Sequence, residues 1–339
     1  IFVIGTPIML AEFTLGRKTN LNPVGAFDQL KPNSPWIGIG YMGVLSGFLI
    51  LSFYGVVGGW TYAYVAKSIT GSVLAFASPK EAGAFFENFI GNTGEILFYH
   101  ALFMGTCIAI VLRGVHGGIE KACNILMPAL VVILLLLMLR SLTLDGAMEG
   151  VAFYLTPDFS KINANVVLIA LGQAFFSLSL GMGAMITYGS YLSKKENLIK
   201  TSLMIAFLDT SIALIAGVVI FSVVFSFGME AQAGPGLIFA TLPTLFHQIP
   251  GGTFIGILFF LLISFAAITS AVSMLEVMVA FISEKFKISR FKATSLAGSA
   301  TFFLGLLTVI STNIGKNSFQ ILGTTNFFDL FDKLTSSYF

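Results

Sequence analysis

The sequence predicts an all-α membrane protein with a single polytopic domain. Of its 339 residues, 56% are hydrophobic and 10% are charged, whereas a soluble domain usually has about a quarter of its residues charged. The mean hydropathy is +0.92. Apolar runs recur along the chain, and they are long enough to cross a bilayer as helices of about 20 residues. We therefore predict one transmembrane domain over residues 1–339, with the lipid bilayer as its main surroundings.

Seven complete spans and one partial span follow from the positions of these runs. Residues 1–13 are predicted to be the partial span. The complete spans are expected near 36–70, 94–112, 118–140, 165–191, 201–228, 252–283 and 291–312. Two of them, 36–70 and 252–283, exceed the minimum crossing length, so they are expected to tilt or to protrude.

The orientation of the spans follows from the basic residues, because cytoplasmic loops carry the excess of Lys and Arg. If the loop after the partial span is cytoplasmic, twelve of the 18 basic residues lie on the cytoplasmic side and six on the other. The net charge of +2 is small, and the uneven distribution of the basic residues reflects the topology of the spans. It does not indicate nucleic acid as a partner.

The span at 165–191 differs chemically from the others. Ser177, Ser179, Gly181 and Gly183 lie near its middle, and each Gly weakens a helix by about 1 kcal/mol relative to Ala. A break there is tolerated only where the backbone lines a cavity, and the ends of half-helices can bind a carboxylate and a cation. A packing face of small residues against a neighbouring helix explains the pattern equally well.

The 252–283 span carries a small, oxygen-rich face. Ala266, Thr269, Ser270, Ser273 and Met274 recur at spacings of three and four residues and so share one side of the helix. Hydroxyl and carbonyl oxygens are suitable ligands for a hard cation. On spacing alone, however, hydroxyls bonded to carbonyls of the preceding turn are the favoured interpretation.

Three acids lie within spans, where ionisable groups are functional candidates. These acids are Glu12, Asp209 and Glu276. No motif ties Asp209 and Glu276 into a catalytic pair, and we expect Glu276 to be a hydrogen-bonded acid inside the bundle. The two cysteines, Cys107 and Cys123, lack metal or redox spacing. An enzyme is therefore not predicted.

The segment from Gly172 to Tyr191, with the sequence GQAFFSLSLGMGAMITYGSY, resembles the sixth helix of the neurotransmitter:sodium symporter family. Further similarities lie in segments that resemble the family's second, third, fifth and eighth helices, its outer loop and the stretch before its sixth helix. These segments are Gly5-Thr6-Pro7 with Glu12 and Gly16-Arg17, Tyr54 with Trp60, Met127-Pro128, Leu155 to Asp158, Gly234 to Phe239, and Ile268-Thr269-Ser270. The resemblance covers family helices two to nine, as in the bacterial-type sodium-dependent amino-acid transporters.

The resemblance implies an inverted-repeat, leucine-transporter-like helical bundle, with substrate held between broken helices at the middle of the membrane. Relative to that fold the chain is expected to be truncated at both ends, lacking the first helix and those beyond the ninth. Asp329 and Asp332 are assigned no gate role. The resemblance implies that the substrate is contacted by Ile50, Tyr54, Phe176, Ser179, Gly181, Met182, Ser270 and Met274. A pocket with methionines favours a hydrophobic or aromatic amino acid, because Met adapts to varied shapes.

Two sodium sites and an inner gate are also implied by the resemblance. Ser177 and Asp209 are expected at the first sodium, and Ala266, Thr269 and Ser270 at the second, with one or both sites completed by the first helix. Asp209 stands where many relatives have Asn, and Ala213 lacks the hydroxyl with which chloride-dependent relatives bind chloride. We therefore expect chloride independence. Tyr191 and Glu284 match the inner gate.

The predicted function is sodium-coupled symport of a small hydrophobic or aromatic amino acid by alternating access, in the plasma membrane, or the inner membrane if the cell is bacterial. Partners are the amino acid and Na⁺. Two alternatives stay open: a non-transporting sensor or degenerate member of the same family, and a carrier for an amine. Because the first helix is expected to be missing, this chain alone is not expected to transport. The sequence leaves the oligomeric state open.

Overall fold

The structure, a computed structural model, describes residues 1–73, 76, 78–228, 235–248, 250–313, 323, 324 and 326–337. Fourteen α-helices are present in these residues, and the all-α prediction is confirmed. The helices are α1 (Gly5–Thr19), α2 (Pro23–Leu30), α3 (Ile37–Ile69), α4 (Pro79–Gly91), α5 (Thr93–Leu112), α6 (Lys121–Ser141), α7 (Ala147–Leu155), α8 (Ala164–Ser177), α9 (Ala184–Tyr191), α10 (Leu198–Ser226), α11 (Leu242–Gln248), α12 (Gly252–Phe286), α13 (Arg290–Asn313) and α14 (Phe327–Ser337). Gly234, where the outer-loop motif begins, lies outside the described residues.

Six helices of the described residues are long and apolar enough to cross a membrane: α3, α5, α6 with a π-helical turn before it, α10, α12 and α13. The predicted span at 165–191 is instead two shorter helices, α8 and α9, separated by residues 178–183. The partial span at 1–13 continues to Thr19. Helix α14 was not predicted, because its eleven residues include charges and are too few for a span.

Short polar segments start several helices. Asn22 accepts hydrogen bonds from the backbone of Val24 and Gly25 and begins α2, and Asn197 accepts one from Lys200 and begins α10. Such side chains satisfy backbone N–H groups that have no partner within the helix. Both of these caps lie at the end of the bundle where the sequence places the cytoplasm.

The scaffold of the bundle consists of α3, α5, α12 and α13. Helix α3 packs along α12 and also contacts α5 and α13. A Cβ atom at Gly59 of α3 would lie 2.8 Å from the backbone nitrogen of His100 on α5, so the two backbones touch. The His100 ring is fully buried and stacks on Phe302 of α13. This packing fixes the wall against which the broken helix lies.

Helix α1 packs against α9, the second half of the broken helix. A Cβ atom at Gly16 would come within 1.9 Å of the Ile186 carbonyl oxygen, so only Gly allows this approach. Helix α10 also contacts α1, and α14 packs on α3 and α13. The break between α8 and α9 is therefore surrounded by α1, α3 and α10.

Candidate functional site

The break between α8 and α9 is a backbone feature of residues 178–183. Ser179, Gly181 and Gly183 all have positive φ angles, of 54°, 81° and 77°. Left-handed backbone is open to Gly but costs roughly 1–2 kcal/mol for other residues, so Ser179 is held there by its surroundings. The Gly/Ser pattern thus marks a true interruption of the helix, and packing alone does not explain it.

A carboxylate on α1 holds the centre of this break. The Oε1 atom of Glu12 accepts a hydrogen bond from the Gly181 backbone nitrogen at 2.8 Å. Glu12 is only 8% exposed, and its Oε2 atom is buried without a partner among the described residues. An amide freed from the helix is costly in a membrane unless it is bonded. Glu12 therefore stabilises the interrupted backbone, a role that the sequence analysis did not assign to it.

The end of α8 and the middle of α10 meet through a hydroxyl and a carboxylate. Ser177 Oγ lies 2.8 Å from Asp209 Oδ1 and 2.7 Å from Asp209 Oδ2. The structure thus brings together the two residues expected at the first sodium. Their oxygens are of the kind that a hard cation binds.

A cavity of about 460 Å³ lies beside the break. Its walls come from α3, α8, the interrupted segment and α14. It is lined by Ser46, Ile50, Leu168, Leu171, Gly172, Phe175, Phe176, Leu180, Gly181, Met182, Asp332, Thr335 and Ser336. The volume suits a small organic molecule, and the lining is apolar with a few polar groups.

Four of the eight predicted substrate residues line this cavity: Ile50, Phe176, Gly181 and Met182. Phe176 is 52% exposed, so its ring is available to cover a ligand. The other four, Tyr54, Ser179, Ser270 and Met274, are not part of its lining. Among these, the Tyr54 phenol interacts with the Ser270 side chain, across the contact between α3 and α12.

The residues predicted for the second sodium lie on one face of α12. Thr269 Oγ1 lies 3.0 Å from the Ala266 carbonyl oxygen and 3.2 Å from that of Phe265. This is the back-bonding that spacing alone favoured. The hydroxyl and the Ala266 carbonyl are nevertheless adjacent oxygens, and Ser270 beside them is exposed.

The residues predicted for the inner gate do not bond to each other. Tyr191 donates a hydrogen bond of 2.7 Å to Glu276 on α12. Glu276 is fully buried and also pairs with the guanidinium of Arg290, at 2.5 Å between Arg290 Nη2 and Glu276 Oε2. Glu284 accepts two hydrogen bonds from Asn22 instead. The buried Glu276 agrees with the expectation of a bonded acid inside the bundle.

Sequence reasoning missed three of these partners. Arg290 follows the turn after α12, and no periodic pattern links it to Glu276. Asn22 carries only the signature of a helix cap. Asp332 lies in the cavity wall, although no role was predicted for it. The available signal was an acid on a short amphipathic helix.

Comparisons with known proteins agree on one family. Residues 80–332 match the model of the sodium:neurotransmitter symporter family. The chain is 40% identical over 335 residues to the uncharacterized sodium-dependent transporter YhdH of Bacillus subtilis, covering 99% of this chain and 74% of the relative. It is 42% identical over 341 residues to an uncharacterized sodium-dependent transporter of Haemophilus influenzae, covering 97% and 74%.

A solved structure is also similar along nearly the whole chain. The crystal structure of MhsT in complex with L-phenylalanine matches with a TM-score of 0.90 and 47% sequence identity. The match covers 98% of this chain and 76% of MhsT.

Proposed function

The chain belongs to the sodium:neurotransmitter symporter family, and we propose that it carries a small hydrophobic or aromatic amino acid by alternating access, coupled to sodium and independent of chloride. It is a multi-pass membrane protein of a sodium-dependent transporter family, and the family and its similar structure are transporters, not enzymes. The proposal concerns substrate, ions and site residues. Its membrane would be the plasma membrane, or the inner membrane in a bacterial cell.

The observation that carries the proposal is the Ser177–Asp209 pair at the end of α8, next to a cavity closed on one side by interrupted backbone. A sodium ion at this pair would gain a hydroxyl and a carboxylate oxygen as ligands. The ion and the amino acid would then lie at the same break. Binding of one would favour binding of the other, which is the linkage that coupling needs.

Chloride independence rests on the charge at this pair. Asp209 places a carboxylate within 3 Å of the Ser177 hydroxyl, and Ala213 one turn further along α10 has no hydroxyl to bind an anion. In our proposal Asp209 supplies the negative charge that chloride supplies elsewhere in the family.

The choice of substrate class rests on the cavity and on the similar structure. Ile50, Phe176 and Met182 provide apolar walls. MhsT was solved with L-phenylalanine, and its 47% identity to this chain supports a hydrophobic or aromatic amino acid here.

The second sodium is proposed at Ala266, Thr269 and Ser270. Tyr54, Ser179 and Met274 are proposed to contact the substrate in another state of the carrier.

The test is binding of labelled phenylalanine, tyrosine and leucine to purified protein produced from its complete reading frame, at increasing sodium concentrations. Ser177→Ala and Thr269→Ala should each weaken the apparent sodium affinity by roughly ten-fold, because hydrogen bonds and ligand contacts to charged groups contribute about 1.5–3 kcal/mol. Ser211→Ala is the matched control, since its hydroxyl bonds to the Phe207 carbonyl on the same α10 and to no other group in the described part of the chain.

Two results would contradict the proposal. Binding that is equally tight without sodium would remove the coupling, and unchanged sodium dependence in both variants would remove the assigned ligands. Absence of binding for all three amino acids, with the protein folded, would favour the sensor or degenerate alternative. Binding of a labelled amine in their place would favour the amine carrier.

A further inference from the structure

The turn between α1 and α2 carries a buried amide that contacts the end of α12. Asn22 is 4% exposed. Its Nδ2 atom donates to Glu284 Oε2 at 2.6 Å, and its backbone nitrogen donates to the same oxygen at 2.9 Å. Its Oδ1 atom accepts from the backbone nitrogens of Val24 and Gly25 at 2.9 and 3.2 Å. Asn22 thus uses its side-chain nitrogen, its side-chain oxygen and its backbone nitrogen in hydrogen bonds.

Capping of α2 does not by itself require Asn at this position. Ser, Thr or Asp would also accept a hydrogen bond from the first turn of α2, but Asp has no donor for a carboxylate, and the Ser and Thr hydroxyls are shorter than the Asn amide and use one atom for both roles. The caps Asn197 and Asn163 accept hydrogen bonds from the backbone in the same way. Among the described residues, their amides bond to no carboxylate. The Nδ2 contact at Asn22 therefore serves Glu284 and is separate from the cap.

The two hydrogen bonds have a geometric consequence for Glu284. Both go to Oε2, so Oε1 of the same carboxylate keeps its capacity to accept from a cation. Glu284 faces a small cavity of about 210 Å³ that Asn22, Asp28 and Lys285 also line. Charge-assisted hydrogen bonds are about twice as strong as neutral ones, so two of them on one oxygen fix the rotation of the carboxyl group.

We propose that Asn22 is a positioning residue of the inner gate, which holds the Glu284 carboxylate in one rotation through Oε2 and leaves Oε1 able to accept a further hydrogen bond. This inference rests on the proposed function, because the gate role of Glu284 is the one that the resemblance to sodium-coupled carriers implies. Asn22 also joins the turn after α1 to α12. Helix α1 packs closely on the half-helix α9 through Gly16, so Asn22 links the position of α9 to the state of the gate.

The test is hydrogen–deuterium exchange of residues 184–191 in sodium, using protein from its complete reading frame. Asn22→Ser keeps an oxygen for the cap and removes the amide donor, and Asn22→Asp adds a like charge beside Glu284. We expect exchange in this segment to rise by about ten-fold or less in Asn22→Ser and more in Asn22→Asp. Asn197→Ser, at a cap without a carboxylate, is the control and should leave the segment unchanged.

A second comparison separates positioning from folding. If Asn22 acts through Glu284, adding Asn22→Ser to Glu284→Ala should raise the exchange of residues 184–191 no further. An equal increase in that background would show a role in the cap alone and would overturn the inference, as would an unchanged rate in Asn22→Ser. Residues 23–30 report whether α2 stays capped.

Failure of this inference and failure of the proposed function give different results. Sodium-dependent binding of the labelled amino acids is measured first on the unchanged protein, and its absence counts against the function. Normal binding with no coupling between Asn22 and Glu284 counts against Asn22 alone.

Discussion

The broken helix and the scaffold differ in how their polar groups find hydrogen-bond partners. In the scaffold of α3, α5, α12 and α13, continuous helices bond their own backbone, and glycines such as Gly59 let neighbouring backbones touch. At the break, residues 178–183 leave the helix, and side chains from other helices take over. Glu12 bonds the Gly181 amide, and Asp209 bonds the Ser177 hydroxyl.

Because of this difference, we expect substitutions in the scaffold to affect folding and substitutions at the break to affect ligand binding. A contact between two packed backbones is lost only by moving whole helices, so changes there should act on folding. A carboxylate that holds one amide at a cavity wall can be altered with little change in packing, so changes there should act on ligand binding. The predictions below test that division, beginning with the largest effect.

The largest effect is expected for Gly59→Ala in the scaffold. The added methyl group would lie 2.8 Å from the His100 backbone nitrogen and 2.9 Å from the Tyr99 carbonyl carbon, so α3 and α5 must separate. Overpacking of this kind typically costs about 1–3 kcal/mol. Thermal unfolding of the purified protein, followed by loss of the monodisperse peak on size exclusion, should shift to lower temperature.

Gly38→Ala is the matched control on the same helix, because no atom lies within 4 Å of a Cβ placed there. It should unfold at the same temperature as the unchanged protein or higher, since Ala is the better helix former. Equal destabilisation by the two substitutions would show that the loss comes from glycine flexibility. In that case the backbone contact would not be the cause.

An intermediate effect is expected for Glu12→Ala at the break. Removal of the acceptor leaves the Gly181 amide without its carboxylate partner, and because Gly181 is exposed at the cavity wall, the cost to stability should be that of one net hydrogen bond, about 0.5–1.5 kcal/mol. We expect sodium-dependent substrate binding to weaken by roughly ten-fold, with a smaller change in thermal unfolding than Gly59→Ala causes. Glu12→Gln keeps an oxygen acceptor and should retain more of the binding. If Glu12→Ala lowers stability more than Gly59→Ala does, the division between the two regions fails.

The smallest effect is expected for Ala213→Ser on α10. The substitution restores a hydroxyl one turn from Asp209, but the carboxylate already supplies the negative charge. Transport without chloride should therefore stay within about two-fold of the unchanged protein. A substitution at an exposed position typically changes the free energy by only a few tenths of a kcal/mol. Uptake measured in chloride and in gluconate checks this, and a new requirement for chloride would contradict it.

Much of the bundle could be predicted from the sequence because its signals are local. The length of the apolar runs predicted the long spans, and the Gly/Ser cluster from Ser177 to Gly183 indicated the break. The ends were less predictable: α1 runs to Thr19, and α14 is too short and too charged to show as a span. A short amphipathic helix is stabilised by the neighbours it packs on, and those neighbours cannot be read from its own residues.

Contacts in the candidate site could be anticipated where the family resemblance indicated both residues, and could not where it indicated only one or neither. The resemblance brought Ser177 and Asp209 into one site, and the structure places them in hydrogen-bonding contact. The pairs Glu12–Gly181 and Asn22–Glu284 join residues 169 and 262 positions apart. Which side chain satisfies a given backbone amide or carboxylate depends on helix packing, and periodicity along the chain carries no such information.

The most direct test of the central claim is amino-acid uptake into proteoliposomes that contain the complete protein, with sodium present and chloride replaced by gluconate. The unchanged protein should transport in sodium gluconate as it does in sodium chloride, because Asp209 carries the charge beside Ser177. Asp209→Asn, which keeps an oxygen ligand but loses the charge, should lose transport in gluconate. A requirement of the unchanged protein for chloride, or full activity of Asp209→Asn without it, would contradict the account.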